Sequence, residues 1–256
     1  MTNFDEKLCT MADMDGFFSR TERLIGTEAL AKLGSFNVLL VGTGGVGSWC
    51  AESLIRSGIR RLTLVDSDLV CASNVNRQLM ATSLTIGQPK VTALRDRLIS
   101  ICPNAVIRAL QERFTEDTAD TFHLEQYDCI IDAIDSVPDK AALIIRSLQT
   151  GARFYSSMGA ALKSDPSRIT VAEFWNVKGC PLARALRNRF KKSGQFPSRK
   201  FKCVYSEERM ENLTYDANDP GNGTVSHITA IFGFYIASLL FNDVTGLSGH
   251  RQVLAD

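Results

Sequence analysis

Ser35-Phe36-Asn37-Val38-Leu39-Leu40-Val41 opens directly into Gly42-Thr43-Gly44-Gly45-Val46-Gly47, and a helix-like stretch follows. An apolar run of strand length that ends in this glycine spacing predicts a strand–turn–helix unit. A glycine at the turn permits positive φ, a second lets backbone approach a pyrophosphate, and a third lets helix and sheet pack closely. The helix N-terminus then presents unpaired N–H groups to an anion. About twenty residues on, the apolar run Leu62-Thr63-Leu64-Val65 closes with Asp66, where a carboxylate can bind ribose hydroxyls. The unit predicts nucleotide binding without saying which nucleotide.

The same periodicity extends outward from it. Upstream, Leu24, Ile25, Ala29, Leu30 and Leu33 have helical spacing and predict one helix over 21–33, stopped at Gly34. Residues 1–20 are polar and irregular and read as an N-terminal arm. Strands at 36–41, 61–66, 105–110, 127–132 and 153–157 alternate with helices at 46–57, 88–101 and 138–150. Such alternation predicts an α/β fold, a doubly wound and mostly parallel sheet with a Rossmann-like nucleotide-binding half. Ligands in these sheets sit beyond the carboxyl ends of the strands. Past Gly159 the pattern changes to a strand at 169–174, a short basic helix at 181–190, a strand at 200–206 and a loop at 216–223. The chain reads as a single domain, 1–256, with a basic insertion or crossover segment at 175–223 before a buried C-terminal helix.

Composition narrows the class. The seven cysteines are dispersed and never spaced C-x-x-C, which argues for reduced thiols and against a tetrathiolate zinc site. No basic, apolar, small-residue leader is visible, and the run Ile228–Phe241 falls short of a spanning helix. A cytoplasmic protein with no integral membrane span is expected. The net charge of +1 hides a segregation, because Lys178 to Lys202 holds nine cations and no acid, leaving −8 for the rest. That stretch predicts a surface facing a polyanion.

Beyond Asp66 the chain reads Asp66-Ser67-Asp68-Leu69-Val70-Cys71-Ala72-Ser73-Asn74-Val75-Asn76-Arg77-Gln78, then Gly87-Gln88-Pro89-Lys90. A dinucleotide dehydrogenase has no need of Arg77 and Lys90 here, whereas an ATP-dependent adenylation does. Negative charge grows at the phosphates as pyrophosphate leaves, so Arg and Lys clamps stabilise it and a carboxylate holds Mg²⁺. Lys90 would begin a helix after Pro89 and reach back to the nucleotide. Asp132-Ala133-Ile134-Asp135 lies at the carboxyl end of strand 127–132. Asp135 is the expected metal ligand, with Asp132 the less favoured one.

Together, Gly42–Gly47, Asp66, Asn74, Asn76-Arg77-Gln78, Gln88-Pro89-Lys90 and Asp135 resemble the ubiquitin-activating-enzyme-like adenylyltransferases over roughly residues 20–160. The resemblance implies that Gly42, Gly44, Gly45, Gly47 and Asp66 bind ATP, that Asn74, Arg77 and Lys90 grip its phosphates, and that Asp135 serves Mg²⁺ and the reaction. Asp68, Asn76 and Gln78 join the nucleotide set. Arg23 matches a family arginine that crosses to the partner's ATP, which implies a homodimer.

Gly44-Gly45-Val46-Gly47-Ser48-Trp49, Asp132–Ser136, Lys140–Ile144, Cys203–Ser206 and Phe232-Gly233-Phe234 are similar to the tRNA threonylcarbamoyladenosine dehydratase branch. That branch adenylates the threonyl carboxylate of the modified tRNA base and closes it to a cyclic form. The implied partner is tRNA, with Arg184, Arg187, Arg189, Lys191 and Lys192 as candidate contacts interleaved with Phe190, Phe196 and Phe201. The alternative is a sulfur-carrier-protein adenylyltransferase of the thiamine or molybdopterin type, which often carries a C-x-x-C pair. A sulfur-relay or cysteine-desulfurase-type partner is left open. The loop 216–223 has no cysteine, so no thiol is expected to act there.

Overall fold

A computed structural model describes residues 16–214 and 221–247. Seven strands form one sheet in the order β3-β2-β1-β4-β5-β7-β6. They are β1 (Asn37–Val41), β2 (Arg61–Val65), β3 (Val106–Leu110), β4 (Cys129–Asp132), β5 (Arg153–Ser157), β6 (Ile169–Glu173) and β7 (Lys202–Ser206). All neighbours are parallel except β6, which runs antiparallel to β7 at the edge. The helices are α1 (Ser19–Ile25), α2 (Thr27–Ser35), α3 (Gly45–Arg56), α4 (Lys90–Ile101), α5 (Val137–Leu148), α6 (Pro181–Ser193) and α7 (Ser226–Thr245).

Period-two burial in β1 builds the core on both sheet faces. Val38 and Leu40 point to the layer of α3, α4 and α7, and Leu39 and Val41 to the layer of α5 and α6. Strand order runs one way from β1 through β2 to β3 and the other way from β4 to β5. The crevice at that reversal, between the carboxyl ends of β1 and β4, is where such sheets bind ligands. Helix α7 closes on α3 through Gly233, where an added Cβ would lie 2.6 Å from the Val46 carbonyl oxygen and 2.7 Å from the Cys50 nitrogen.

Two expectations change. The helix over 21–33 is broken into α1 and α2 at Gly26, whose φ of 82° and ψ of 161° no helix accepts. The segment 175–223 is no insertion into a finished sheet, because it carries crossover helix α6 and strand β7, which sits between β5 and β6. Of the N-terminal arm only residues 16–20 fall within the described residues, and of the loop 216–223 only 221–223. Helix α7 is long and apolar enough to cross a membrane by length and composition, but half of its most apolar window is buried inside the protein.

Candidate functional site

The glycine turn forms a backbone cradle at the end of β1. Gly42 has a φ of 90°, and an added Cβ would lie 2.6 Å from the Ala133 carbonyl oxygen. At Gly47 an added Cβ would meet the Gly42 carbonyl oxygen at 1.8 Å, so no side chain fits there. Gly45 lies against Thr229 of α7, while Gly44 precedes α3 and provides no side-chain cap. The first N–H groups of α3 therefore face the crevice without a side-chain acceptor, a favourable place for phosphate oxygens. Gln78 beside it is 6% exposed, and its Oε1 has no hydrogen-bond partner among the described residues, which leaves an acceptor open to a donor such as a hydroxyl or amino group. Its Nε2 lies 3.8 Å from where a Cβ on Gly44 would sit.

Asp66, at the tip of β2, is tied to this turn. Its Oδ2 accepts hydrogen bonds from the Thr43 backbone N–H (2.7 Å) and the Thr43 hydroxyl (3.1 Å), and its Oδ1 accepts the Asp68 N–H (3.0 Å). One carboxylate thus braces the turn and keeps lone pairs to spare. Lys90 opens α4 and puts its ammonium 2.7 Å from Asp68 Oδ2. The lysine side chain is 8% exposed and the Asp68 side chain 64% exposed, so the cation is tucked under an open carboxylate.

Arg77 Nη1 donates to the Ser73 carbonyl (2.7 Å) and to Asn76 Oδ1 (2.9 Å). Its own carbonyl accepts Trp49 Nε1 (3.0 Å) and the Thr229 hydroxyl (3.3 Å), which anchors the loop to α3 and α7. Two asparagines expected at the nucleotide have local duties. Asn74 Oδ1 accepts the Cys71 N–H, closing a one-turn helix, and Asn76 Nδ2 donates to the Thr224 carbonyl. Both ends of the Asn76 amide are engaged, one of them by Arg77.

The two acids after β4 divide sharply. Asp132 is fully buried, and its Oδ2 lies 2.8 Å from Lys140 Nζ and 2.7 Å from the Ser156 hydroxyl that donates to it. Burial raises its pKa against the pull of Lys140. Asp135 is exposed at the tip of the β4–α5 turn, with no hydrogen bond or ion pair among the described residues. Mg²⁺ commonly takes one or two carboxylates together with substrate phosphates. A lone open carboxylate beside the glycine turn suits that demand, and the described residues hold no group of three or more His, Cys, Asp or Glu arranged for a metal. Lys140 was not singled out for this role, although a lysine in the run Lys140–Ile145, otherwise all apolar, is a signal of a paired buried charge.

The basic helix needs a correction. Ala183, Leu186 and Phe190 face the sheet, and Arg187 turns inward with them. Its guanidinium donates to the carbonyls of Phe174, Trp175 and Val177 and lies 5.7 Å from the Phe174 ring centroid. Arg187 is a staple, unlike Arg184, Arg189, Lys191 and Lys192, which are exposed. Phe190 and Phe201 are core residues, leaving Phe196 as the exposed aromatic of the three. Arg23 is exposed on α1, without a hydrogen bond or ion pair among the described residues.

The ThiF family model matches residues 18–254. A tRNA threonylcarbamoyladenosine dehydratase of Haemophilus influenzae is 33% identical over 248 residues, covering 90% of this chain and 95% of its own. One from Bacillus subtilis is 42% identical over 177 residues, 69% of this chain and 70% of the relative. The crystal structure of E. coli tRNA N6-threonylcarbamoyladenosine dehydratase in complex with ATP is 33% identical, with a TM-score of 0.83 over 94% of this chain and 98% of that one.

Proposed function

The chain belongs to the ThiF family, and from its likeness to named relatives we infer that it is an ATP-dependent tRNA threonylcarbamoyladenosine dehydratase. The observation that carries the inference is the extent of the likeness. Relatives of that name match along nearly the whole chain, so the half beyond β5 is included as well as the glycine turn. Relatives named for the runner-up, adenylation of a sulfur carrier's C-terminal tail or of molybdopterin synthase, match only 44–60% of this chain. The chain also lacks the C-x-x-C pair often found in that branch.

In this reading the glycine cradle and the bare first turn of α3 take the phosphates, and Asp66 takes the ribose. The threonyl carboxylate of the modified base attacks the α-phosphorus of ATP, pyrophosphate leaves, and an acyl-adenylate forms. Lys90 and Arg77 stabilise the charge that grows on the phosphates. Mg²⁺, held by Asp135 and phosphate oxygens, would supply further neutralisation. The carbamoyl-side nucleophile then attacks the acyl carbon within the same molecule and AMP leaves, with proximity supplying much of the rate. One carboxylate oxygen departs on AMP, so the nucleoside loses the elements of one water.

The route as drawn needs no protein thiol. Cys180 and Cys203 are buried, and burial pushes the Cys203 thiol well above its usual pKa, while Cys71 is exposed. The exposed cations of α6 would meet the tRNA backbone. A homodimer, with Arg23 reaching the partner's ATP, and a cytoplasmic location accompany the proposal.

The test is incubation of purified protein with ATP, Mg²⁺ and tRNA carrying threonylcarbamoyladenosine, followed by mass spectrometry of the nucleosides. Loss of one water mass is expected. An unchanged nucleoside beside ATP–pyrophosphate exchange driven by a Gly-Gly-ended carrier would transfer the assignment to the runner-up.

A further inference from the structure

Lys140 is a charged side chain with no exposed surface, and the adenylation chemistry above makes no use of it. Its surroundings explain what it holds. Nζ lies 2.8 Å from Asp132 Oδ2 and donates to the Ile134 carbonyl at 2.9 Å. Asp132 Oδ1 accepts the Ile134 N–H at 3.1 Å, and Ser156 of β5 donates to Oδ2 at 2.7 Å. Both backbone polar groups of Ile134 are therefore fixed by this ion pair. Ala133 is fixed from the other side, since its N–H donates to the Val41 carbonyl and its carbonyl oxygen abuts Gly42.

The next residue is Asp135, whose carboxylate is open and unpartnered among the described residues. The arrangement is a rigid pedestal under a free acid. Burying an ion pair is an expensive way to stabilise a protein, because apolar side chains of the same volume do as well or better. What such a pair can supply is position, much as outer groups orient the ligands of a metal site.

We propose that Lys140, with Asp132 and Ser156, is a positioning group that sets Asp135 relative to the glycine turn and thereby its grip on the nucleotide's Mg²⁺. This rests on the reading of Asp135 as the carboxylate facing phosphate and metal. It does not require that the acceptor be tRNA.

The experiment is a calorimetric titration of Mg²⁺ into full-length protein holding a non-hydrolysable ATP analogue. It compares wild type, Asp135→Asn, Ser156→Ala and the double variant Asp132→Asn/Lys140→Met, which leaves no lone buried charge. Asp135→Asn should weaken Mg²⁺ binding, and the double variant should lose about tenfold. Ser156→Ala, which deletes one hydrogen bond, should lose about threefold, below the range for losing a whole outer partner. Analogue affinity without Mg²⁺ should stay at the wild-type value in Ser156→Ala and the double variant, and should not fall in Asp135→Asn, which removes a negative charge facing the phosphates.

Wild-type Mg²⁺ affinity in Asp135→Asn would overturn the proposal at its premise. Wild-type affinity in a folded double variant or in Ser156→Ala would overturn it directly. So would an equal loss of analogue affinity with and without Mg²⁺, which marks a general loosening of the fold. Should the double variant fail to fold, Ser156→Ala decides alone. A wild-type protein that binds analogue and Mg²⁺ but leaves the modified tRNA unchanged would fail only the functional reading.

Discussion

Lys90 and Arg77 carry the charge argument, and they are held very differently. Lys90 pairs with an exposed carboxylate, so losing it leaves Asp68 in solvent and should cost little stability. Arg77 is held by backbone and by Asn76, away from any acid. Lys90→Ala and Arg77→Ala should each lower kcat by about 10²–10³-fold. Melting temperatures should stay close to wild type, as steady-state kinetics and thermal unfolding would show. The sequence marks them only as a set with Asn74, Gln78 and Asp135, since either alone reads as a solvated surface charge. The duties of Asn74 and Asn76 were not legible. An asparagine serves backbone or phosphate equally well, and only the position of the Cys71 N–H and the Thr224 carbonyl decides between them.

Elements are joined by buried charge as well as by apolar faces. Glu52 of α3 accepts a fork of hydrogen bonds from Arg97 of α4 and another bond from Arg56 one turn on. Burial alone would raise its pKa, but the bonds from Arg97 and Arg56 outweigh it, and the net shift is downward from 4.5. A folded pKa below the unfolded value contributes stability at pH above about 4.5, and that contribution is lost as pH falls through the folded pKa. Chemical unfolding of Glu52→Gln should therefore show a flatter loss of stability below pH 4.5 than wild type. Helix α6 offers a second contrast. Charge reversal at Lys191 and Lys192 should weaken tRNA binding and reduce its salt slope by about one to two, with ATP affinity unchanged. Arg187→Ala should instead lower the melting temperature, because its hydrogen bonds end on the carbonyls of residues 174–177. As a run of cations these residues look alike, and the inward face of α6 separates Arg187 from the others.

At the scale of the whole molecule, the active assembly is proposed to be a dimer in which Arg23 of one protomer serves the other's ATP. Arg23→Ala and Lys90→Ala should each be inactive alone. Mixed in equal amounts under conditions that exchange protomers, they should recover activity toward about a quarter of wild type, since half of the dimers are mixed and one of the two sites in each keeps both residues. Failure to complement, with exchange confirmed by tagged protomers, would place Arg23 in its own chain's site or outside the chemistry altogether.

The Ser35–Gly47 stretch with Asp66 was enough to specify strand, turn, helix and nucleotide crevice. The φ freedom of Gly42 and the lack of room at Gly47 are local demands that few sequences satisfy by chance. Periodicity supplied the parallel sheet for the same reason, as strands buried on two faces read as apolar runs between helices. The break at Gly26, the place of β7 inside the sheet, the inward turn of Arg187 and the Lys140–Asp132 pair belonged to tertiary structure. Each depends on groups far apart in the chain, or on a choice between two conformations of similar local energy. Only packing, with its penalty on unpaired buried charge, makes that choice.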